Sequence, residues 1–285
     1  MSKKRLLIVG ASSLLGKSFL KLFGDNYEVF TCGRSIVSGQ FEHFKMDFSK
    51  EIDVNILPSN IDIVIYLAQS YKFRDFQNNS DEIFQINTAR VLEFLNYAKK
   101  ARAKRFLYTS TGGVYTTNEV HIEDELIDAS KLNGFYAVSK YCAELLVSSY
   151  KQFFDVIILR PFFMYGEEQK DDMLIPSLIS KVKNKRLVQL QGAEGIKINP
   201  IYVDDAAKII QNIIKTDANG VFNIAGKEIV SISQLCSIIG NCLNIKPLFE
   251  NLEGSASDII GSRKKIKSLA GEMENSICNN ILELI

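Results

Sequence analysis

The chain has only two histidines, His43 and His121, no tryptophan and five prolines. The shortage of histidine narrows the chemistry. No HExxH motif occurs, which excludes a zincin-type site, and neither histidine accompanies the GxSxG elbow of a serine hydrolase. No metal site is expected. The five cysteines, Cys32, Cys142, Cys236, Cys242 and Cys278, form no CxxC pair, and their number is odd. A disulfide framework is therefore not expected; buried free thiols in a reducing compartment are. Charge of either sign is not in excess. Lys plus Arg number 34, Asp plus Glu 33, and the net charge is +1. That balance leaves no electrostatic footprint for nucleic acid or an anionic membrane. No apolar run approaches the ~18 residues of a membrane span. Lys3, Lys4 and Arg5 before Leu6–Val9 imitate the start of a secretory signal. The run breaks at Gly10 and Ser12-Ser13, short of the ~7–15 apolar residues such a signal needs. A cytoplasmic location is expected.

What is present is an ordinary globular composition. The chain has 285 residues, 46% hydrophobic, which excludes a disordered chain and suffices for one large core or two modest ones. Strand-like and helix-like segments alternate. Strands are expected at Arg5–Val9, Tyr27–Cys32, Ile61–Ala68, Arg105–Thr109 and Val156–Leu159. The helix expected over Ile83–Ala101 turns Ile83, Ile86, Val91, Leu92 and Leu95 inward, and another is expected over Tyr136–Tyr150. The repeated alternation predicts a Rossmann-type, doubly wound parallel sheet in an α/β fold. From Pro161 the rhythm loosens. Helices are expected at Met173–Val182, at Asp205–Lys215 with Asp204 as N-cap, and at Ser231–Leu243, with a short strand at Ile201–Asp204. The division follows: residues 1–160, joined by 201–225, form a dinucleotide-binding domain, and 161–200 with 226–285 form a smaller C-terminal α/β substrate-binding region.

The first strand runs into Gly10-Ala11-Ser12-Ser13-Leu14-Leu15-Gly16 and then a helix. Gly10 permits a tight turn, and the following backbone N–H groups face an anion at the helix N-terminus. Gly16 lets the helix approach the sheet. Ser13 stands where a second glycine is usual, and its hydroxyl could donate to a phosphate. The second strand ends in Cys32-Gly33-Arg34, with no acid for a ribose 2′-hydroxyl. Arg34 offers a guanidinium suited to a 2′-phosphate, so NADP is expected, with NAD as the alternative.

Tyr136-Ala137-Val138-Ser139-Lys140 places a phenol and an ammonium at i and i+4 on one helix face. A phenol of pKa ~10 becomes a useful acid or base near neutrality only if a nearby cation favours its phenolate. The pair alone is also what an amphipathic helix surface presents. Upstream, Arg105–Thr109 ends in Ser110-Thr111, hydroxyls at the carboxyl edge of a parallel strand, where such sheets bind ligands.

With these motifs in order, the chain resembles the extended short-chain dehydrogenase/reductase family, the NAD-dependent epimerase/dehydratases. The resemblance takes in the glycine loop, Asp47-Phe48, Leu67-Ala68, Asn87-Thr88, the Ser-Thr strand end and YxxxK. It continues through Arg160-Pro161-Phe162, Tyr165-Gly166, Tyr202-Val203-Asp204-Asp205 and Phe222-Asn223-Ile224-Ala225-Gly226. It implies that Tyr136 is the general acid/base, that Lys140 binds the nicotinamide ribose and lowers the Tyr136 pKa, and that Thr111 bonds the substrate oxygen. It places Gly10, Ser12, Ser13, Leu14, Gly16, Arg34, Asp47, Phe48, Leu67, Ala68, Lys140, Pro161 and Phe162 around the dinucleotide. It further implies a nucleotide-sugar substrate, a 4-ketoreductase or 4-epimerase activity and a homodimer built on the helices that begin near Ile83 and Tyr136. The alternative is a non-catalytic dinucleotide-binding sensor or scaffold.

Two departures qualify the resemblance. The Asp-Glu pair that dehydratases of the family carry after the active-site Thr is Gly112-Gly113 here, which argues against water elimination. The Arg that grips a diphosphate in many members is Ile198, with Lys197 beside it, and a lysine lacks the planar fork. Lys181, Lys183, Lys185 and Arg186, and the acidic run His121–Glu125, read as a solvated helix end and a solvated loop. Phe162-Phe163-Met164-Tyr165 could line a cleft, with core packing at least equal for Phe163 and Met164.

Overall fold

The computed structural model describes residues 2–116, 120–254, 257–270 and 276–285. In chain order the elements are β1 (Lys4–Val9), α1 (Leu14–Phe23), β2 (Tyr27–Gly33), β3 (Glu42–Lys45), β4 (Ile63–Tyr66), α2 (Phe76–Phe84), α3 (Arg90–Lys100), β5 (Arg105–Thr109), β6 (Val120–His121), α4 (Gly134–Ser149), β7 (Asp155–Pro161), α5 (Leu174–Lys183), β8 (Leu187–Gln191), β9 (Lys197–Ile198), α6 (Val203–Lys215), β10 (Gly220–Ile224), β11 (Val230–Ser231), α7 (Ile232–Leu243), β12 (Leu248–Leu252), β13 (Ile260–Gly261), α8 (Lys264–Ala270) and α9 (Ile277–Leu282). Among the described residues no helix is long and apolar enough to cross a membrane.

The chain divides into two compact units. The first comprises Met1–Thr116, Leu126–Arg160 and Ile210–Phe222; the second comprises Thr117–Glu125, Pro161–Ile209 and Asn223–Ile285. The central sheet runs β10-β7-β5-β4-β1-β2-β3. The pairs β1–β2, β1–β4, β2–β3, β4–β5 and β5–β7 are parallel, as the helical crossovers require. The reversal of strand order on either side of β1 defines a doubly wound sheet. Leu7, Val9, Val64, Tyr66, Phe106 and Tyr108 on the strands meet Val91, Phe94 and Ala98 of α3 and Ala143 and Val147 of α4 in one core. Strands covered on both faces explain the unbroken apolar runs in the sequence.

The Ile83–Ala101 segment is not one regular helix. A π-helical turn, Gln85–Ala89, joins α2 to α3. Ile83, Ile86, Val91 and Leu95 are buried as expected, but Leu92 is 39% exposed. It follows Val91 around the helix and leaves the inward face to Phe94 and Leu95.

The second unit has its own core, in which Tyr165, Leu178, Val188, Ile198, Leu235 and Ile281 cluster. Three small pairings organise it: β8 with β12 and β6 with β13, both parallel, and β9 with β11, antiparallel. Helix α7 starts with a capping box between Ser231 and Gln234. The strand expected at Ile201–Asp204 does not form. Only Tyr202 makes a bridge, to Tyr165, and α6 already begins at Val203. Asp204 and Asp205 lie in its first turn, where the helix dipole favours carboxylates.

Other expectations are corrected as well. Within His121–Glu125, His121 and Glu123 are buried, not solvated. Glu123 accepts from the Asn223 N–H at 3.1 Å, and the Asn223 amide donates to the His121 carbonyl at 2.9 Å. Buried backbone groups need partners, and this segment supplies them. Of the cysteines only Cys32 and Cys236 are buried, while the Cys242 and Cys278 sulfurs stand 3.8 Å apart near the surface as free thiols. Phe162 and Tyr165 are the core residues of the aromatic stretch, whereas Phe163 and Met164 are only partly covered.

Candidate active site

Parallel strands bring their following loops to one edge of the sheet. Gly10 follows β1, Arg34 follows β2, Leu67-Ala68-Gln69 follows β4, and Ser110-Thr111 follows β5. The glycine turn is tight by necessity. Gly10 has φ +80°, and a Cβ there would stand 2.8 Å from the Ala68 backbone nitrogen. At Gly16 a Cβ would meet the Ala11 carbonyl oxygen at 2.4 Å, so only glycine lets α1 start this close to the loop. Ser13 is the N-cap of α1, its oxygen accepting from the Gly16 N–H at 3.2 Å. The cap uses a lone pair and leaves the hydroxyl hydrogen to donate elsewhere. Ser12 is exposed, and Leu14 is partly covered.

Around this loop, Arg34 is exposed, with its guanidinium 5.1 Å from the centre of the Tyr71 ring. Asp47 accepts from the Ser49 hydroxyl at 2.7 Å, and this bond, aided by Arg34, holds its carboxyl below the ordinary value. Leu67 and Ala68 are buried under the loop. Two expected dinucleotide contacts are core residues. Phe48 is buried edge-on to Phe94 at 5.7 Å, its carbonyl accepting from Arg90. Phe162 is 1% exposed and packs in the second unit, its ring 6.3 Å from that of His121. Their side chains serve packing, which leaves only backbone atoms for a ligand. Pro161 is the last residue of β7 and is partly covered.

Thr111, Tyr136 and Lys140 come together in the first unit. Thr111 follows β5 and caps a 3₁₀ turn, Gly112–Val114, accepting from the Gly113 N–H at 3.1 Å. The Thr111 hydroxyl also bonds the Tyr136 phenol. Lys140, one turn along α4, is 1% exposed. Its Nζ donates to the Thr109 carbonyl at 2.6 Å and lies 4.9 Å from the centre of the Tyr108 ring. Burial lowers the ammonium to about 7, with the Glu144 carboxylate pulling the other way. Glu144 is itself buried and paired with Arg160 through bonds of 3.0 and 2.6 Å. The expectation that Lys140 draws the phenol below its ordinary value does not hold for these residues by themselves. Burial pushes Tyr136 up to about 12, against the opposing Thr111 bond. The Thr111 bond does not overcome that desolvation.

Further groups complete the site; Asn87, Ser110 and Ser139 stand in motifs the sequence offered, and Gln69 gave no signal there. The Tyr136 hydroxyl donates to the Gln69 side-chain carbonyl at 3.0 Å. Asn87, fully buried on the π-helical turn, accepts from the Ser70 N–H at 2.9 Å and donates to the Ser139 hydroxyl at 3.0 Å. Ser139 in turn donates to the Tyr136 carbonyl at 2.8 Å. The Ser110 hydroxyl and the Thr109 Oγ1 are buried without a hydrogen-bond partner among the described residues. Such groups are costly unless a ligand or water meets them. With the glycine cradle, they fit a dinucleotide and its substrate at this edge of the sheet.

Sheet order, glycine turn and Thr/Tyr/Lys cluster define a nucleotide-binding α/β protein of the short-chain dehydrogenase type. The chain belongs to the NAD dependent epimerase/dehydratase family, whose model matches residues 6–225. It is 26% identical to the GDP-6-deoxy-D-talose 4-dehydrogenase of Aggregatibacter actinomycetemcomitans over 98% of this chain and 99% of that protein. Its fold is that of the UDP-N-acetylglucosamine 4-epimerase from Methanobrevibacter ruminantium M1, solved with UDP-N-acetylmuramic acid, at a TM-score of 0.86 and 21% identity over 99% and 97% of the two chains. The UDP-glucuronic acid 4-epimerase from Bacillus cereus, solved with UDP-glucuronic acid and NAD, matches at a TM-score of 0.85 and 22% identity over 97% and 96%.

Proposed function

We propose that the chain is an NAD(P)-dependent oxidoreductase acting at C4 of a nucleotide-activated sugar, a 4-ketoreductase or 4-dehydrogenase. The observation that carries the reading is that Tyr136, bonded to Thr111, and Lys140, bonded to the carbonyl of Thr109, lie one turn apart on α4 against the end of β5, at the same edge of the sheet as the glycine turn. The full-length likeness to a 4-dehydrogenase of a GDP-sugar favours this reaction. A 4-epimerase is the second reading, favoured by the solved relatives that carry that name. Gly112-Gly113 in place of an acid pair speaks against a dehydratase.

The first unit, in this reading, holds the dinucleotide through Gly10, Ser12, Ser13, Leu14 and Gly16, with Asp47, Leu67 and Ala68 around the adenosine half. A bound nicotinamide supplies hydride exchange with the sugar carbon. Tyr136 gives its proton to the carbonyl oxygen in reduction and takes one from the hydroxyl in oxidation. Thr111 donates to the same oxygen and fixes its distance from the phenol. Lys140, when protonated, stabilises the phenolate left behind. NAD is favoured over the NADP that Arg34 suggested. The guanidinium lies against Tyr71 and shares its field with Asp47, so less of its charge faces a 2′-phosphate. The B. cereus relative holds NAD. We also propose that the chain works as a homodimer.

The test is turnover of a panel of UDP-, dTDP- and GDP-sugars and their 4-keto derivatives with NADH and NADPH in parallel. Tyr136→Phe is expected to lower turnover by roughly 10²–10⁴-fold while dinucleotide binding persists. Equal turnover by the variant would remove Tyr136 from the chemistry. Binding without turnover of any panel member by the unmodified protein would favour the sensor alternative.

A further inference from the structure

The loop after β4 is built around the phenol. Gln69 accepts the Tyr136 hydroxyl at 3.0 Å. Four residues on, the Phe73 ring lies 4.8 Å from that of Tyr136, centre to centre. Phe76 stacks on Phe135, the residue before Tyr136, at 5.8 Å and 6° between planes. The loop is anchored independently of these contacts. The Ser70 N–H donates to Asn87 at 2.9 Å, the Ser70 hydroxyl donates to Glu82 at 3.2 Å, and Lys72 pairs with Glu82 at 2.8 Å. Gln69 therefore presents its amide from a fixed backbone.

We propose that Gln69 is a positioning residue for Tyr136, its side-chain carbonyl accepting the phenol hydrogen and holding the hydroxyl in the protonated state, ready to give its proton away. The choice of atom matters. A carbonyl oxygen accepts only from the neutral phenol, so this bond favours the acid over the phenolate. Thr111 acts in the opposite sense, since its hydroxyl can donate to a phenolate. The two neighbours together hold the group between its two roles. Substrate oxygen would take the place of Gln69 on the phenol, a neutral exchange of one acceptor for another.

The inference rests on the reading of Tyr136 as the acid/base, but its first test does not. Tyrosines labelled with ¹³C at Cζ report phenol hydrogen bonding and ionisation by NMR. The resonance lost in Tyr136→Phe identifies Tyr136 among the eleven tyrosines. In Gln69→Leu that resonance is expected to move while the others stay. If it stays too, the contact is absent and the proposal falls, whatever the substrate panel shows. The second test is the pH profile of reduction. Other charged or titratable groups near the phenol are Tyr108 from β5, Lys140 on its own helix and Arg74, 5.2 Å from the centre of the Phe73 ring. All three are unchanged by substitution at Gln69. Gln69→Leu is expected to move down the alkaline limb of kcat/KM, which reports the free enzyme, with kcat little changed because substrate oxygen has by then replaced the amide on the phenol. Gln69→Glu, a stronger acceptor, is expected to move that limb up. Loss of kcat together with thermal stability, or limbs that do not move in opposite directions, would reduce Gln69 to a packing residue. Absence of turnover by the unmodified protein would overturn the enzymatic reading and leave the NMR result to decide the contact.

Discussion

An ammonium brought down to about 7 by burial is only half charged at neutral pH, and Lys140 carries that condition inside α4. The cost to stability follows from linkage. Below pH 7 the lysine is protonated in both folded and unfolded chains, so the full burial penalty applies. Between about 7 and the ordinary value of 10.5 the unfolded chain binds the proton more strongly, and stability rises with pH; above 10.5 the penalty is gone. Lys140→Met is therefore expected to stabilise the protein at pH 6.5, by roughly 2 kcal/mol after allowing for the lost bond to the Thr109 carbonyl. The gain should shrink toward zero by pH 9.5 while turnover is lost throughout. Urea denaturation of both proteins at the two pH values measures it, and a gain that does not change with pH would show that Lys140 keeps its proton in the fold over this range, with its pKa not lowered. A residue that weakens its own helix is understandable only if the site requires it.

At the scale of elements, the legible parts of the site were those written in one stretch of chain. Tyr136 and Lys140 lie a turn apart, and the loop from Gly10 to Gly16 spans one strand–helix junction. Gln69 could not be read in this way, because its partner is 67 residues distant. Nor could the burial of Glu123, which depends on an N–H of Asn223. The periodicity over Ile83–Ala101 announced a helix but not the π-helical turn within it, since one extra residue in a turn leaves the apolar count unchanged. That turn has a use: it directs Asn87 between Ser70 and Ser139, and so ties the end of β4 to the helix that holds Tyr136. Asn87→Ala should leave the Ser70 N–H without its partner, at a cost of about 2–3 kcal/mol. Because Ser139 bonds the Tyr136 carbonyl, kcat should fall further than KM changes. A urea midpoint and steady-state rates check both, and an unchanged kcat would confine Asn87 to stability.

For the molecule as a whole, the exposed surface of the first unit bears on assembly. Val138 and Leu145 stand seven residues apart on α4, two helical turns on one face, and both are exposed. Leu92 on α3, the residue that the helical pattern had turned inward, is exposed too. Single exposed apolar residues are ordinary, but repetition at helical spacing along one helix is the pattern by which helices pack. A second copy of the chain, offering the same face about a two-fold axis, would cover each set with its equivalent. Sedimentation of the unmodified protein at micromolar concentration should then give twice the chain mass of 32.1 kDa. Leu145→Glu, which places a carboxylate in the middle of such a face, should give the chain mass with the thermal unfolding of the first unit preserved. The site residues Thr111, Tyr136 and Lys140 all come from one chain, so the monomeric variant should still bind dinucleotide. A single-chain mass for the unmodified protein would mean that these leucines face solvent in the working form.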